Sequence, residues 1–148
     1  MTSRLLFVSL TSLAIVASCS PVSDATISKS IKAKQEILNA YQIPWLELLN
    51  QRENNYLVFV YSETCGYCHD MLDEIIDFAL SDILPTYFIN TQNNEVPISS
   101  EYVTNISDIN ALSIRGTPTV IEVKEGVVIS NSAGLDECLN YLANKRMS

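Results

Sequence analysis

Residues 56–71 read YLVFVYSETCGYCHDM, and this stretch decides the fold. Its first half, YLVFVYS, is a continuous apolar run with β-branched and aromatic residues, which predicts a buried central strand. Its second half begins a predicted helix that runs from Gly66 to about Leu80. Cys65 and Cys68 lie where the strand feeds the helix. Reactive groups in open α/β sheets gather where strands end, so this junction is the first candidate for a functional site.

Further helices and strands are predicted on both sides of this unit. The additional strands are PTYFIN at 85–90, TVIEVK at 119–124 and VVISNS at 127–132. Residues 44–54, 106–114 and 135–144 are predicted as helices, the first of them beginning at a proline. Residues 26–39 also predict a helix, although ILNAYQI at 37–43 fits a short strand equally well. The predicted fold class is therefore α/β, with a central mixed β-sheet flanked by helices.

The N-terminus has the features of an export signal. Arg4 precedes an apolar run of 13 residues, shorter than the roughly 20 residues that span a bilayer. At the end of that run, VASC at 16–19 resembles a bacterial lipobox, in which the peptide is cleaved before the cysteine and the cysteine carries a diacylglycerol. We therefore expect a lipoprotein signal peptide over 1–18, a lipidated Cys19, a tether over 19–28 and one domain over 29–148. A plain secretory signal with a chance cysteine, or an uncleaved anchor, is the alternative.

The signal and the composition together limit the function. The expected location is extracytoplasmic, with the lipid anchoring the protein to the bacterial membrane at the cell surface or in the periplasm, where disulfides persist. A net charge of −8 leaves no basic face for phosphates, so no nucleic-acid partner is expected. Cys138 follows helical spacing with neighbouring leucines and is expected to be a small, buried core residue.

The cysteine spacing suits dithiol chemistry. Residues i and i+3 share one face of a helix, and their Cα separation can meet the roughly 5.5 Å of a disulfide. At the helix N-terminus, the positive end of the dipole favours a thiolate on Cys65, and the thiolate is the nucleophile in exchange. Cys68 lies one turn in, and we expect it to be more buried and to resolve the mixed disulfide. His69 and Glu63 are candidate modulators of opposite charge.

The chain resembles the thioredoxins from Pro44 to Lys145. YLVFVYSETCGYCHDM resembles their strand–CxxC–helix unit, IRGTPT at 114–119 the loop that carries a cis-proline, and VIEVKEGVVIS at 120–130 their terminal hairpin. The resemblance implies a thioredoxin fold and a cis Thr117–Pro118 bond packed against the cysteines. It implies that Thr117 and Pro118 bind an extended substrate, and we assign Gly66 and Tyr67 to the same surface. We expect no cofactor or metal, a monomer, protein or peptide thiol and disulfide substrates, and a redox partner protein.

The departures from this family are equally informative. Phe59 stands six residues before the first cysteine, where typical thioredoxins have a buried carboxylate. Tyr87 is assigned to the position of the lysine usual on the next strand, and Tyr67 replaces the proline of CGPC. Without the acid, deprotonation of the resolving cysteine loses its usual aid. Residues 95–110 form a longer stretch than the family's equivalent, which is expected to shape a different substrate edge.

The CxxCH motif also permits other functions. It is the attachment signature of c-type haem, with His69 as the iron ligand, but the sequence has no second histidine and haem leaves RGTPT unexplained. A structural zinc site needs four ligands, and the sequence has neither a second CxxC nor a pair of histidines, so such a site is not expected. Two thiolates and an imidazole would suit Cu(I), which leaves copper delivery as an alternative. A thioredoxin-fold interaction module without activity is a further alternative.

The preferred hypothesis is a membrane-anchored thiol–disulfide oxidoreductase that acts on secreted or membrane proteins. An accessory disulfide-forming role in bacteriocin export is the alternative within the same class. Oxidase, reductase and isomerase share one dithiol site, and the direction of electron flow depends on the reduction potential and the redox partner. The sequence therefore predicts the chemistry but not its direction.

Overall fold

The computed structural model describes residues 24–148, so the predicted signal peptide and Cys19 lie outside the described residues. The first helix, α1 (Asp24–Ala40), begins within the stretch predicted as a tether. The alternative strand over 37–43 is realised only at Gln42, which forms an isolated parallel bridge with Phe88. Within residues 24–148, every helix is too short or too polar to cross a membrane.

A four-stranded mixed sheet forms the centre of the fold. The remaining elements are β1 (Asn55–Tyr61), α2 (Gly66–Ala79), β2 (Thr86–Asn90), β3 (Thr119–Lys124), β4 (Val127–Ala133) and α3 (Leu135–Arg146). The strand order is β2-β1-β3-β4; β1 is parallel to β2, and β3 is antiparallel to both β1 and β4. The α/β class and the four main strands predicted from the sequence are thereby confirmed.

The helix predicted over 44–54 is wrong, because the structure has a single 3-10 turn there, Trp45–Glu47. The side chains of Trp45 and Leu48 are both buried. The Leu48 carbonyl accepts a hydrogen bond of 2.8 Å from the Tyr56 hydroxyl, so it is taken by a strand residue rather than by a continuing helix. The short helix predicted over 106–114 is present as a second 3-10 turn, Ile109–Ala111.

All three helices pack on one face of the sheet. Phe59 of β1 lies in that core with Met71 of α2 and Cys138 of α3, all of them fully buried. The prediction that Cys138 is a core residue is confirmed. Phe78 also belongs to the buried face of α2. The opposite face of the sheet is covered by irregular segments that include Trp45 and Leu112.

The antiparallel pairing of β1 and β3 determines where the functional site can lie. Val60 near the end of β1 is paired with Thr119 at the start of β3. The residues that follow β1 and those that precede β3 therefore lie at the same end of the sheet. That end carries both cysteines of the CxxC motif and the Thr117–Pro118 pair.

Candidate active site

Cys65 is the residue that caps the N-terminus of α2. Its backbone is extended, with φ −89° and ψ 116°, and its Sγ accepts a hydrogen bond of 3.2 Å from the Cys68 backbone N–H. This contact satisfies one of the N–H groups that a helix leaves unpaired at its start. Since an N–H donor and the positive end of the helix dipole both stabilise negative charge, this position favours a thiolate.

The loop before β3 closes the site on its other side. The Thr117–Pro118 peptide bond is cis, as the resemblance implied. The Cys65 thiol donates to the Thr117 carbonyl oxygen across 3.4 Å, so the thiol and the cis-proline loop are in direct contact. The Pro118 carbonyl oxygen accepts a hydrogen bond of 2.8 Å from the Gly134 N–H, which ties this loop to the start of α3.

The two thiols of the motif lie in different electrostatic surroundings. Burial acts to raise the pKa of Cys65, but hydrogen bonds with the side chains of Cys68 and Thr117, and with backbone N–H groups at the start of α2, outweigh it, and the pKa is lowered from its usual value. Burial, followed by the hydrogen bond with Cys65, raises the pKa of Cys68 to about 12. Cys65 is partly exposed and Cys68 is only 4% exposed. The arrangement therefore pairs an accessible nucleophile with a buried, protonated thiol.

The third described thiol, Cys138, lies behind the cis-proline loop. Its Sγ is 3.2 Å from the Ser132 carbonyl oxygen and 3.7 Å from that of Pro118. Burial raises the pKa of Cys138 to about 12. A thiol that is fully buried and protonated is unreactive, which agrees with a core role.

The remaining predicted site residues divide between two sides of Cys65. Tyr67 is 64% exposed and lines a shallow cleft with residues 133–137, and Gly66 opens α2 beside it. Glu63 and His69 lie on the other side, where they line a cavity of about 300 Å³ that also contains Cys68. The structure thus brings Thr117 and Cys65 into contact beside Cys68, with Pro118 as the next residue of the loop, and places the two candidate modulators in the cavity that Cys68 lines.

Phe88, and not Tyr87, lies beside Phe59, so the assignment of Tyr87 to the position of the usual lysine is wrong. Phe59 is paired with Phe88 across the β1–β2 ladder, and their ring centroids lie 6.3 Å apart in an edge-to-face arrangement. Tyr87 points to the opposite face, where its hydroxyl donates to Glu53 across 2.5 Å. A shift of one residue along a strand moves the side chain to the other face of the sheet. The position behind the cysteines is therefore apolar in both strands.

A buried acid is present, but at the wrong end of the sheet for the cysteines. Glu122 of β3 is 2% exposed and is paired with Leu57, four residues before the end of β1. Its carboxylate lies 2.7 Å from the Lys145 ammonium and also accepts a hydrogen bond from Tyr141. Glu122 is thereby committed to an ion pair with α3 and cannot replace the acid that is missing at Phe59.

A cluster that the sequence analysis missed ties the long stretch 95–110 to the cis-proline loop. The guanidinium of Arg115, within the RGTPT motif, stacks 3.6 Å from the centre of the Tyr102 ring. Its Nη2 also lies 2.7 Å from Glu137 at the start of α3. Hydrogen bonds from Tyr102 and then from Arg115 hold the pKa of Glu137 below its usual value. The three residues come from separate segments of the chain, so no sequence pattern predicts their contact. Only Arg115, as part of the RGTPT motif, was a residue that sequence analysis could have selected.

Comparison with known proteins identifies both a family and a fold. The family model of TraF, described as the F plasmid transfer operon protein, matches residues 22–135. Among solved structures, the chain is similar to a protein described as a candidate oxidoreductase with a thioredoxin fold, with 17% identity and a TM-score of 0.51 over 74% of this chain and 96% of that one. At this identity, the likeness shows the fold.

Two thioredoxins are also similar to this chain. A mutant thioredoxin from Halobacterium salinarum NRC-1 shares 17% identity, with 68% of this chain and 81% of that chain covered and a TM-score of 0.49. Thioredoxin f2 from Chlamydomonas reinhardtii shares 14% identity, with 71% and 94% covered and a TM-score of 0.47. No match was found among curated proteins.

Proposed function

Because this chain belongs to the TraF family and has the thioredoxin fold, we propose that it is a thiol–disulfide oxidoreductase with Cys65 and Cys68 as its redox pair. One observation carries the proposal, namely the asymmetry of the two thiols. Cys65 is accessible, caps a helix N-terminus and has a lowered pKa, whereas Cys68 is buried directly behind it. Exchange through a mixed disulfide needs this asymmetry. The first thiol must be accessible to attack the substrate, and the second must react only with the mixed disulfide that the first has formed.

The reaction in the reducing direction proceeds in two displacements. The Cys65 thiolate attacks one sulfur of a substrate disulfide, the substrate S–S bond breaks, and the other substrate sulfur leaves as a thiolate that takes up a proton. The Cys68 thiol then loses its proton and attacks Cys65 Sγ, which releases the remaining substrate sulfur. Two electrons pass from the cysteine pair to the substrate, and the Cys65–Cys68 disulfide is formed. The oxidising direction is the reverse of these steps.

The substrate chain is proposed to lie in extended form along Thr117 and Pro118. The contact of Cys65 Sγ with the Thr117 carbonyl supports this path, because a substrate sulfur bonded to Cys65 would lie next to the loop. The exposed ring of Tyr67 offers an apolar surface on the same side. We therefore propose protein or peptide thiols and disulfides as substrates, with a separate redox partner protein to reset the pair.

We further propose that the protein acts outside the cytoplasm and is held to the membrane by lipid on Cys19. The lipobox-like VASC sequence supports this location. Substrates would then be secreted or membrane proteins. Mass spectrometry of the mature wild-type protein is expected to find Cys19 as its first residue with a diacylglycerol on the sulfur, and Cys19→Ala is expected to lack both this modification and the cleavage before residue 19. An unmodified Cys19 thiol in the mature wild-type protein would contradict the lipid anchor.

Haem attachment through CxxCH is disfavoured by the geometry of the second cysteine. A c-type haem is bound through both cysteine sulfurs, but Cys68 is 4% exposed and faces the core with Met71 and Phe59.

The proposal is tested with a disulfide-bonded peptide and single cysteine variants of the full chain. Cys65→Ser is expected to abolish exchange, whereas Cys68→Ser is expected to accumulate a mixed disulfide at Cys65 that mass spectrometry detects. Cys138→Ala is the matched control and is expected to keep the wild-type rate, because Cys138 lies in the core. Full activity of Cys65→Ser would refute the mechanism. The direction follows from the reduction potential, for which about −270 mV indicates a reductase and about −120 mV an oxidase.

A further inference from the structure

The second displacement requires a proton acceptor for Cys68, and this inference rests on the proposed function. Only the thiolate attacks Cys65 Sγ. Burial raises the pKa of Cys68 to about 12, so the thiolate forms rarely at neutral pH without an acceptor nearby. Phe59 and Phe88 occupy the positions behind the cysteines, and Glu122 is paired with Lys145 at the other end of β1. The acceptor must therefore lie elsewhere.

The cavity beside Cys68 contains a carboxylate. Its apolar walls are Leu38 of α1 and Leu72 of α2, and its polar lining consists of Gln35, Ser62, Glu63, His69 and the Tyr61 side chain. Its volume of about 300 Å³ is large enough to admit several waters, and the polar groups can bind them. A water chain can thus connect Cys68 to the residues at the rim of the cavity.

The Glu63 side chain is exposed, and a buried residue holds one of its carboxylate oxygens. Its Oε1 accepts a hydrogen bond of 2.7 Å from the Asn90 side-chain amide. Asn90 ends β2, is 1% exposed, and is itself fixed because its Oδ1 accepts from the Gln92 N–H. A buried amide therefore directs one carboxylate to the cavity that contains Cys68.

We propose that Glu63 is the proton acceptor for Cys68, through water in this cavity, in place of the acid that Phe59 displaces. As the Cys68 S–H bond breaks, its proton passes to the Glu63 carboxylate. The electron pair left on Cys68 Sγ forms the bond to Cys65 Sγ, and the departing substrate sulfur keeps the pair of the broken S–S bond. In the reverse direction, Glu63 returns the proton to Cys68.

The other titratable groups around Cys68 serve this role less well. Burial raises the pKa of Tyr61, so its phenol stays protonated and cannot accept. Cys65 is the electrophile in this step, and Cys138 on α3 is buried and protonated. The α1 residues that line the cavity carry no titratable group. His69 is the one competing acceptor, and the experiment includes a variant of it.

Glu63→Gln is the decisive variant, because glutamine keeps an oxygen for the Asn90 amide while it removes the basic carboxylate. The reduced full chain is mixed with dithiodipyridine, a small neutral disulfide, and quenched at intervals between pH 5 and 9. Mass spectrometry then separates the mixed disulfide on Cys65 from the closed Cys65–Cys68 disulfide. The assay thus measures attack and closure as two rates.

We expect Glu63→Gln to slow closure about tenfold or more at neutral pH, while the attack rate of Cys65 changes little. Closure in the variant should then depend on hydroxide and become about tenfold faster for each pH unit. A purely electrostatic role predicts the opposite sign, since the loss of a nearby negative charge makes a thiol easier to ionise and closure faster. The direction of the change therefore separates proton transfer from a charge effect.

Glu47→Gln is the matched control, because it removes one exposed carboxylate outside the cavity and should leave both rates unchanged. Closure at the wild-type rate in Glu63→Gln overturns the inference, as does equal slowing in the Glu47 control. Slow closure in His69→Gln with normal closure in Glu63→Gln would assign the role to the imidazole instead. Failure of the proposed function shows separately, in the peptide-substrate assay, which does not enter this measurement.

Discussion

Alkylation of the reduced, folded protein at pH 7 is expected to modify Cys65 well before Cys68. The perturbation is a limiting amount of iodoacetamide, which reacts with the thiolate of each cysteine. The two thiols belong to one turn of α2, so they meet the reagent at the same concentration. Any difference in rate therefore reports their pKa values and their exposure.

The size of the effect follows from the surroundings of Cys68. Burial raises the pKa of Cys68 from 9.0 to about 12, so its thiolate fraction at neutral pH is about a thousandfold below that of an ordinary thiol. The thiolate of a more basic thiol is a stronger nucleophile. With a Brønsted coefficient of about 0.4–0.5, its intrinsic reactivity rises roughly sixteenfold to thirtyfold, which compensates for part of the loss in thiolate fraction. Cys68 should thus react roughly thirtyfold to sixtyfold more slowly than an ordinary thiol. The lowered pKa of Cys65 makes the contrast with Cys68 larger still.

Peptide mapping by mass spectrometry measures the rate at each cysteine separately. Cys138, with its pKa also raised to about 12 and no exposed surface, should react at least as slowly as Cys68. The control is the same protein in concentrated urea, where the three thiols should react at similar rates. Alkylation of Cys68 within threefold of Cys65 in the folded protein would refute the assignment of nucleophile and resolving thiol.

Two further predictions concern stability and substrate binding. Lys145→Met should lower the free energy of unfolding in urea by about 1–3 kcal/mol, because it leaves the buried Glu122 carboxylate without its cation. The control is Lys34→Met, whose partner Asp73 is 72% exposed, and it should change the stability by less than about 1 kcal/mol. Equal effects of the two variants would show that the burial of Glu122 does not matter. Arg115→Ala should raise the KM for a peptide substrate, because it releases Tyr102 from the cis-proline loop, and it should leave the rate of Cys65 alkylation unchanged. An unchanged KM would show that the cluster of Arg115, Tyr102 and Glu137 does not shape the substrate-binding surface.

The sequence was most informative where the pattern is local. The strand over 119–124 was predicted with the bounds that the structure shows, because β-branched residues followed by a Glu-Gly turn are a short-range signal. The α2 helix and the burial of Cys138 followed from helical spacing in the same way. The helix expected after Pro44 was wrong, since a hydrogen bond from Tyr56, eight residues away from Leu48, ends it after one turn.

The sequence by itself determined that two thiols lie together at the start of α2, because residues three apart on a helix are brought to one face by local geometry alone. Only the tertiary structure decided what surrounds them. The register of β1 on β2 places Phe88 rather than Tyr87 beside Phe59. The packing of α1 against α2 creates a cavity that both Glu63 and Cys68 line. Both depend on contacts between segments far apart in the chain, which no local periodicity records.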